Sequence, residues 1–531
     1  MRLLTSCLLF LSFLAFAGSL ARGQGAEPAG TTAPSSATES ASKQEVNQLR
    51  QEVAEQRQTI EQLKALVQQL VDAKTQPASA TAQTGESPQL LNATLVQGGS
   101  AAAQATPSPK PAEKKEAGPA ITAGWSNEHF YIKSADGKFQ IQPYGYIQTD
   151  YRAFNGDGAP ADTFVIRRAR FGFQGNYGKF YEFAILADAA ATNGLTLRDG
   201  YLNIKPVPEF QVQVGQYKVP WSQEEMSAVT NIDFVERSLA SLLYPSAAAA
   251  FRSPGAEVHG DISGGRMQYW VGAFNQRGLL ANNTQNWPDI IGRVRFNPWK
   301  NKKDSMFQGL YFGGSIGYGK TRGLSNELSF SAVTPDTAFQ FFPTFRVNGN
   351  VERYLGEFYW SHGPMSLAGE YNQLLQERHD VGASTPGGID FLSVPGIRAK
   401  AGYIQATYLL TGESKAWNTV PKVKNALLGP EAAPSTNAGF GAWELAFRYD
   451  RIQAKAPGAT PIGPFTQFTP ELVTTFNNHT DAFTFGINWY LNYWVKYQVN
   501  VGVDRLQQVS INTGALPQNY FVALQRLQFR F

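Results

Sequence analysis

From about residue 121 to its end the chain alternates apolar and polar side chains with a period of two. Residues 481–506 show the pattern most fully. Phe483, Phe485, Ile487 and Trp489 fall on one face, with Thr484, Gly486, Asn488 and Tyr490 on the other. After Leu491 and Asn492 the alternation resumes. Tyr493, Val495, Tyr497, Val499, Val501 and Val503 then oppose Lys496, Gln498, Asn500 and Asp504. A period of two means strands, because successive side chains of a strand point to opposite faces. In a soluble sheet the apolar face needs a second layer to cover it. In a transmembrane barrel lipid covers it, and water fills the polar inside.

The same reading predicts strands near 139–152, 163–175, 179–189, 197–205, 210–217, 255–263, 266–276, 289–297, 307–319 and 341–348. Further strands are predicted near 350–361, 364–376, 397–409, 439–452, 481–490, 493–504 and 519–531. Single-chain bacterial barrels use an even number of strands, and at roughly 25 residues per strand and connection this length gives about 16. The expected fold is therefore all-β: a transmembrane antiparallel β-barrel of about 16 strands spanning 121–531, and one predicted strand is surplus. In the final strand Leu527, Phe529 and Phe531 share one face, and Arg526, Gln528 and Arg530 share the other. A closed sheet needs this last strand to pair with the first.

The region before the barrel reads as three pieces. Residues 1–21 have the form of a secretory signal peptide: Arg2 is the basic start, Leu8–Ala17 the apolar core, and cleavage fits after Ala17 or Ala21. Over residues 43–74, Val46, Val53, Ile60 and Val67 recur every seventh position, as do Leu49, Gln56, Leu63 and Leu70. This predicts a coiled-coil helix. β-Branched a positions with Leu at d favour two parallel strands, in tension with the trimer introduced below. Residues 75–120, rich in Ala, Pro, Ser, Thr and Gln, read as a disordered linker.

Composition narrows the functional classes. The chain is 43% hydrophobic, yet its mean hydropathy is −0.28. Beyond the signal, no apolar run approaches the roughly 18 residues a spanning helix needs. Cys7, in the signal, is the only cysteine, so the mature chain has no disulfide framework and no thiolate site. His129, His259, His362, His379 and His479 show no metal-ligand spacing. No Ser/His/Asp grouping stands out. The chain is read as no enzyme, with no cofactor, no metal and no nucleic-acid partner.

The net charge is +4, and the first 120 residues carry equal numbers of basic and acidic residues, so the excess belongs to the strand-rich region. Within it, Arg168 and Arg170 oppose Val165, Ala169, Phe171 and Phe173; Arg293 and Arg295 oppose Val294 and Phe296; Arg526 and Arg530 behave alike. An Arg facing lipid at the midplane costs about 2–4 kcal/mol, so these faces are assigned to the lumen. Arg167 falls on the apolar face and is expected near a membrane interface. Glu182, Asp188, Glu444 and Asp504 are the acids expected to neutralise such arginines. The long interruption 219–254 holds Glu236, Arg237, Arg252 and a helix-like stretch, SQEEMSAVTNIDFVERSLASLL. It is expected to fold inward as a constriction.

Gly314 to Thr321 (GSIGYGKT) matches the P-loop pattern. Phosphate cradling needs a helix after the glycines. Here Leu310, Phe312, Gly314, Ile316 and Tyr318 continue a strand alternation through the motif, which argues against nucleotide binding.

Several motifs together resemble the phosphate-selective porin O and P family. They are Tyr144-Gly-Tyr-Ile-Gln, Ile166-Arg-Arg-Ala-Arg-Phe-Gly-Phe, Leu197-Arg-Asp-Gly-Tyr, Val214-Gly-Gln-Tyr-Lys-Val-Pro, Glu236-Arg-Ser and the Phe529-Arg-Phe531 end. The resemblance covers 121–531. It implies a homotrimer of barrels in the outer membrane of a Gram-negative bacterium, with the coiled coil in the periplasm and outer-membrane lipid around the barrel. It also implies an inward loop and passive diffusion of inorganic phosphate, polyphosphate or other small anions along an arginine-lined path. Arg167, Arg168 and Arg170 match that path by motif, and Lys218 and Arg237 join it. Asp199 is expected to balance their charge, and the Phe531 end to be read by the outer-membrane assembly machinery. Arg252, Arg293, Arg295, Arg526 and Arg530 complete the candidate anion-binding set. A general or carbohydrate-permeable porin, and a barrel that tethers the envelope through its coiled coil, are the alternatives.

Overall fold

The computed structural model describes residues 121–531 apart from 127–128, 157–158, 192–193, 276–277, 284–286, 323–325, 333–338, 380, 382, 386–387, 391–393, 429–438, 458–474 and 508–517. The signal peptide, the coiled coil and the 75–120 linker lie outside the described residues.

β1 (Ile121–Ser126) and β2 (His129–Ser134) form a hairpin that joins the sheet through Ile132 opposite Ile141 and Lys133 opposite Gln140. The wall begins with β3 (Phe139–Asn155), β4 (Thr163–Tyr177), β5 (Tyr181–Asp188), β6 (Thr196–Val207), β7 (Phe210–Lys218) and β8 (Arg252–Ile262). It continues through β9 (Met267–Phe274), β10 (Asp289–Phe296) and β11 (Tyr311–Thr321). β12 (Glu327–Ala332) and β13 (Phe339–Arg346) pair only with each other, and the wall resumes with β14 (Gly349–His362) and β15 (Met365–Arg378). β16 (Ala383–Thr385) and β17 (Gly388–Asp390) form a second small hairpin. β18 (Val394–Leu409), β19 (Ala442–Pro457), β20 (Thr475–Tyr490), β21 (Val495–Gln507) and β22 (Gln518–Arg530) complete the wall.

β22 pairs antiparallel with β3, from Phe521 opposite Asn155 to Arg530 opposite Tyr146, and closes a barrel of 16 strands. Closure leaves no free sheet edge. Past the last strand, Phe531 and Gly145 exchange backbone hydrogen bonds of 3.0 Å in both directions. The surplus strand is 341–348. It corresponds to β13, which pairs with β12 in a hairpin outside the wall.

Orientation follows from the connections. Turns such as Tyr177 to Tyr181, Val207 to Phe210 and His362 to Met365 gather at one end, and long excursions such as Lys218 to Arg252 and Thr321 to Gly349 at the other. Short turns mark the periplasmic end and long loops the extracellular end. Two connections depart from this rule, running from Phe296 to Tyr311 and, longest, from Leu409 to Ala442 on the periplasmic side.

Alternation runs along most of the wall, interrupted where strand pairs shift register. In β19 every even-numbered residue from Ala442 to Ala456 is buried, and Leu445, Phe447, Arg451 and Lys455 are exposed. The outer surface is apolar at mid-height, with Phe171, Ile185, Leu202, Val214, Ile316, Phe485 and Val501 exposed. The glycine motif Gly314 to Thr321 lies within β11, paired with β14 throughout.

Candidate functional site

The interior is organised around the segment 219–251 between β7 and β8, most of which is buried. Its expected helix shrinks to one turn, Gln223–Met226, capped by the Ser222 hydroxyl accepting from the Glu225 amide, and two 3₁₀ turns, Leu239–Leu243 and Ala247–Ala249. The rest is mostly turns and bends, because the wall supplies the partners that helical bonds would have used. The Val229 carbonyl accepts from Gln148, Thr230 from Gln528, Ile232 from Lys496 and Gln498, and Asp233 from Asn488. The Val235 carbonyl accepts from Arg526, and those of Glu236 and Arg237 from Arg448. Buried backbone polar groups must be paired, and here inward side chains of five strands pair them.

Glu236 is the focus of this segment. It lies within ion-pair distance of four guanidinium groups: Arg152 at 2.5 Å, Arg167 at 3.0 Å, Arg526 at 3.4 Å and Arg168 at 4.0 Å. Asp150 is the second carboxylate of the cluster. Arg526 holds it through two bonds of 2.6 and 2.7 Å, and Arg152 through one of 2.9 Å. Burial alone would raise the Glu236 carboxyl, but Arg167, Arg152, Arg526 and Arg168 hold it well below the ordinary range. Four cations thus face two carboxylates on β3, β4, β22 and the inward segment.

Arg167 corrects the sequence reading. The pairing of β3 with β4 shifts register between Gln148–Arg168 and Thr149–Ile166, so Arg167 is the extra residue of a β-bulge. The bulge breaks the alternation, and Arg167 bonds Glu236 inside the barrel instead of facing lipid. Arg168 also donates to Gln148 at 2.8 Å.

The other candidate cations divide by partner. Arg170 pairs with Asp188 at 2.8 Å, which Arg198 shares at 3.2 Å. Arg252, the first residue of β8 and not part of the loop, makes a two-point contact with Asp199 at 2.8 and 2.9 Å. Arg293 pairs with Glu357 at 2.5 Å. Lys218 and Arg237 donate to loop carbonyls, Lys218 to Ser227 and Arg237 to Glu224 and Ser227. Arg295 bonds Gln268 and stacks on Tyr311 and Trp417. Arg530 donates to Asn231 at 3.0 Å and lies over the Tyr493 ring. Of the acids expected as partners, Asp188 meets a candidate arginine, whereas Glu182 pairs with Lys205 and Glu444 with Lys415.

Several interior cations were missed by sequence reasoning, among them Arg152, Arg448 and Lys415. The first two were readable, since Gln148, Asp150 and Arg152 share one face of β3, and Glu444, Arg448 and Asp450 one face of β19. Lys415 carried no such signal. It sits in the long periplasmic connection, which folds upward to meet the inward segment. There Lys415 bonds Asp233 at 2.6 Å and also Glu444, and Asn418 accepts from the Ala228 amide at 2.7 Å. Between these segments lies a small cleft lined by Asp233, Glu236, Lys415, Trp417 and Arg448, among others.

Towards the extracellular end the interior changes character. Ile397, Ile452, Ala454, Phe476, Leu506, Tyr520 and Val522 face inward and pack with Phe330, Phe341, Phe342 and Phe345 of the β12–β13 hairpin. Phe345 meets Phe476 edge-on at 5.2 Å, and the Phe341 carbonyl accepts from Asn478 at 2.7 Å.

Comparison with known proteins places this architecture. The sequence model of the phosphate-selective porin O and P family matches residues 141–301 and 335–531. Porin O of Pseudomonas aeruginosa is 22% identical over 431 residues, covering 75% of this chain and 90% of that protein. Among solved structures, the outer membrane channel DcaP of Acinetobacter baumannii is 12% identical, with a TM-score of 0.45, over 75% of this chain and 99% of that one. A trimer form of OmpT from Vibrio cholerae is 10% identical, with a TM-score of 0.43, over 74% and 99%.

Proposed function

We propose phosphate and related small anions as the solutes of this chain, which belongs to the phosphate-selective porin O and P family and is an outer-membrane porin. Family membership points to a channel rather than an enzyme. The observation that carries the solute assignment is the excess of guanidinium over carboxylate around Glu236: Arg152, Arg167, Arg168 and Arg526 against Glu236 and Asp150. Such an excess, in a narrow low-dielectric lumen, concentrates anions and replaces part of their hydration. Guanidinium groups match phosphate oxygens in a two-point fork. A passing phosphate competes with the Glu236 carboxylate for these donors, and Glu236 returns to them when it leaves. This exchange keeps binding weak enough for release.

Arg170, Arg198 and Arg252, with Asp188 and Asp199 between them, extend the cationic track along β4, β6 and β8. Arg295 and Arg530, which have no carboxylate partner among the described residues, supply the periplasmic exit. Lys218 and Arg237 keep the inward segment in shape. Arg293 anchors that segment to Glu357 and lies outside the track. The working assembly is a homotrimer, delivered by the 1–21 signal and inserted by machinery that reads the Phe531 end. Its coiled coil extends into the periplasm.

The test is the reversal potential in a planar bilayer under a KCl gradient, with phosphate then titrated in. Anion selectivity and a chloride current blocked by phosphate are expected. Equal permeability to K⁺ and Cl⁻ without block overturns the assignment and leaves a general pore.

A further inference from the structure

The outer surface carries a feature that conduction does not use. On β18 to β21 the exposed face is apolar and aromatic from the periplasmic end to mid-height. Tyr408, Leu445, Phe447, Phe485, Ile487 and Val501 point outward there. Above Tyr449 and Phe483 the same face turns basic. Arg398 and Lys400 of β18, Arg451 and Lys455 of β19 and Arg505 of β21 are all exposed.

Register brings these cations together. Arg398 lies opposite Lys455, and Lys400 opposite Gln453. Arg451 lies opposite Asp481, and Asp481 opposite Arg505. Neighbouring strands are about 4.8 Å apart, so the five side chains cover one patch a few strands wide. Asp481 is the one carboxylate among the described residues of these rows. It is engaged by Arg451 at 2.9 Å and by the Tyr449 hydroxyl at 2.7 Å. Arg398, Lys400 and Lys455 meet no carboxylate among the described residues.

Height decides what such a patch meets. It lies on the lipid-facing side, directly above the apolar band and at the end that carries the long loops. The periplasmic ends of the same strands show Tyr408, Trp443, Trp489 and Tyr497 on that face and no cation among the described residues. A cluster of exposed Lys and Arg at the headgroup level of one leaflet only fits recognition of anionic headgroups on that side.

We propose that Arg398, Lys400 and Lys455, flanked by Arg451 and Arg505, form a binding site for the phosphate headgroup of an outer-leaflet glycolipid of the lipid A class. The apolar face below takes the acyl chains, and the guanidinium and ammonium groups take the phosphates. Arg398 and Lys455, side by side across one ladder, hold one phosphate between them.

The test uses the full-length protein in detergent, with bisphosphorylated lipid A and its dephosphorylated form as probes and binding read by native mass spectrometry. Wild type is expected to retain lipid A, and the triple variant Arg398→Gln, Lys400→Gln, Lys455→Gln to bind it more weakly by on the order of tenfold or more. Dephosphorylated lipid A should bind both proteins equally weakly, and inorganic phosphate should not displace lipid A. The triple variant should keep the wild-type reversal potential, which shows that its barrel is folded. Equal binding of lipid A by wild type and variant overturns the proposal. So does an altered oligomeric state with unaltered lipid binding, which would make the patch a contact between proteins.

Discussion

The inner wall is two surfaces built on the same strands. On β19 the inward positions run Glu444, Arg448, Asp450 and then Ile452, Ala454, Ala456; on β22 they run Arg530, Gln528, Arg526 and then Leu524, Val522, Tyr520. The charged half receives the 219–251 segment through directional bonds to its backbone. The apolar half receives the β12–β13 hairpin largely through packed phenylalanine rings. Two elements from the extracellular end are thus held inside one barrel by different forces. The first has fixed geometry because each carbonyl needs its own donor. The second is held by area, which tolerates sliding.

The comparison is broken most severely at Arg526, which is fully buried and bonds Asp150, Val235 and Glu236. Arg526→Ala removes the two-point partner of Asp150 and one of the four guanidinium groups around Glu236, leaving Arg152 as the cation bonded to Asp150, and is expected to cost about 3 kcal/mol. Thermal unfolding in detergent should show it, and single-channel conductance should rise as the inward segment loosens. The matching change in the apolar half is Phe345→Ala, expected to cost about 3 kcal/mol locally. It should raise conductance while leaving ion selectivity untouched. A shift in selectivity would mean that the two halves do not act separately.

Glu236→Gln keeps an acceptor but removes a charge, so it should destabilise less than Arg526→Ala. It should also move the reversal potential further towards that of chloride. Because Glu236 is held below the ordinary carboxyl range, its charge is present above that range and lost only as the pH falls through the lowered value. Wild-type selectivity arising from this cluster should therefore stay constant between about pH 7 and pH 5. The smallest effect belongs to Glu225, which is fully buried and whose carboxyl oxygens have no hydrogen-bond partner among the described residues. Burial pushes its carboxyl well above the ordinary value of 4.5. Folding therefore favours its protonated form, and stability should fall as the pH rises from that ordinary value towards the raised one. Glu225→Gln should flatten that slope, as measured by unfolding temperature against pH.

How much of this was legible depends on the range of the signal. Wall faces are local: Phe485 and Ile487 against Asn488 and Tyr490 follow from a period of two, and the structure exposes the first pair and buries the second. The same rule placed Arg168, Arg170 and Arg526 inside. It failed at Arg167, where one inserted residue reverses the phase, and at β13, whose alternation is real but whose partner is a loop strand. It also over-read the 219–251 segment as helical. That stretch has helical composition, but its carbonyls are claimed by Gln528, Lys496, Asn488 and Arg448. Which carboxylate meets which arginine was not readable at all. Glu236 and Arg526 are brought together only by closure of the ring.

That closure has a consequence for biogenesis. The donors that fix residues 229–237 sit mostly on β19 to β22, more than 200 positions later in the chain. Contacts so distant in sequence form late. Until β22 has joined the wall, the carbonyls of Thr230 and Val235 lack their donors Gln528 and Arg526, so the constriction is incompletely held. Closure of the wall and final seating of the constriction are therefore completed by the same strand.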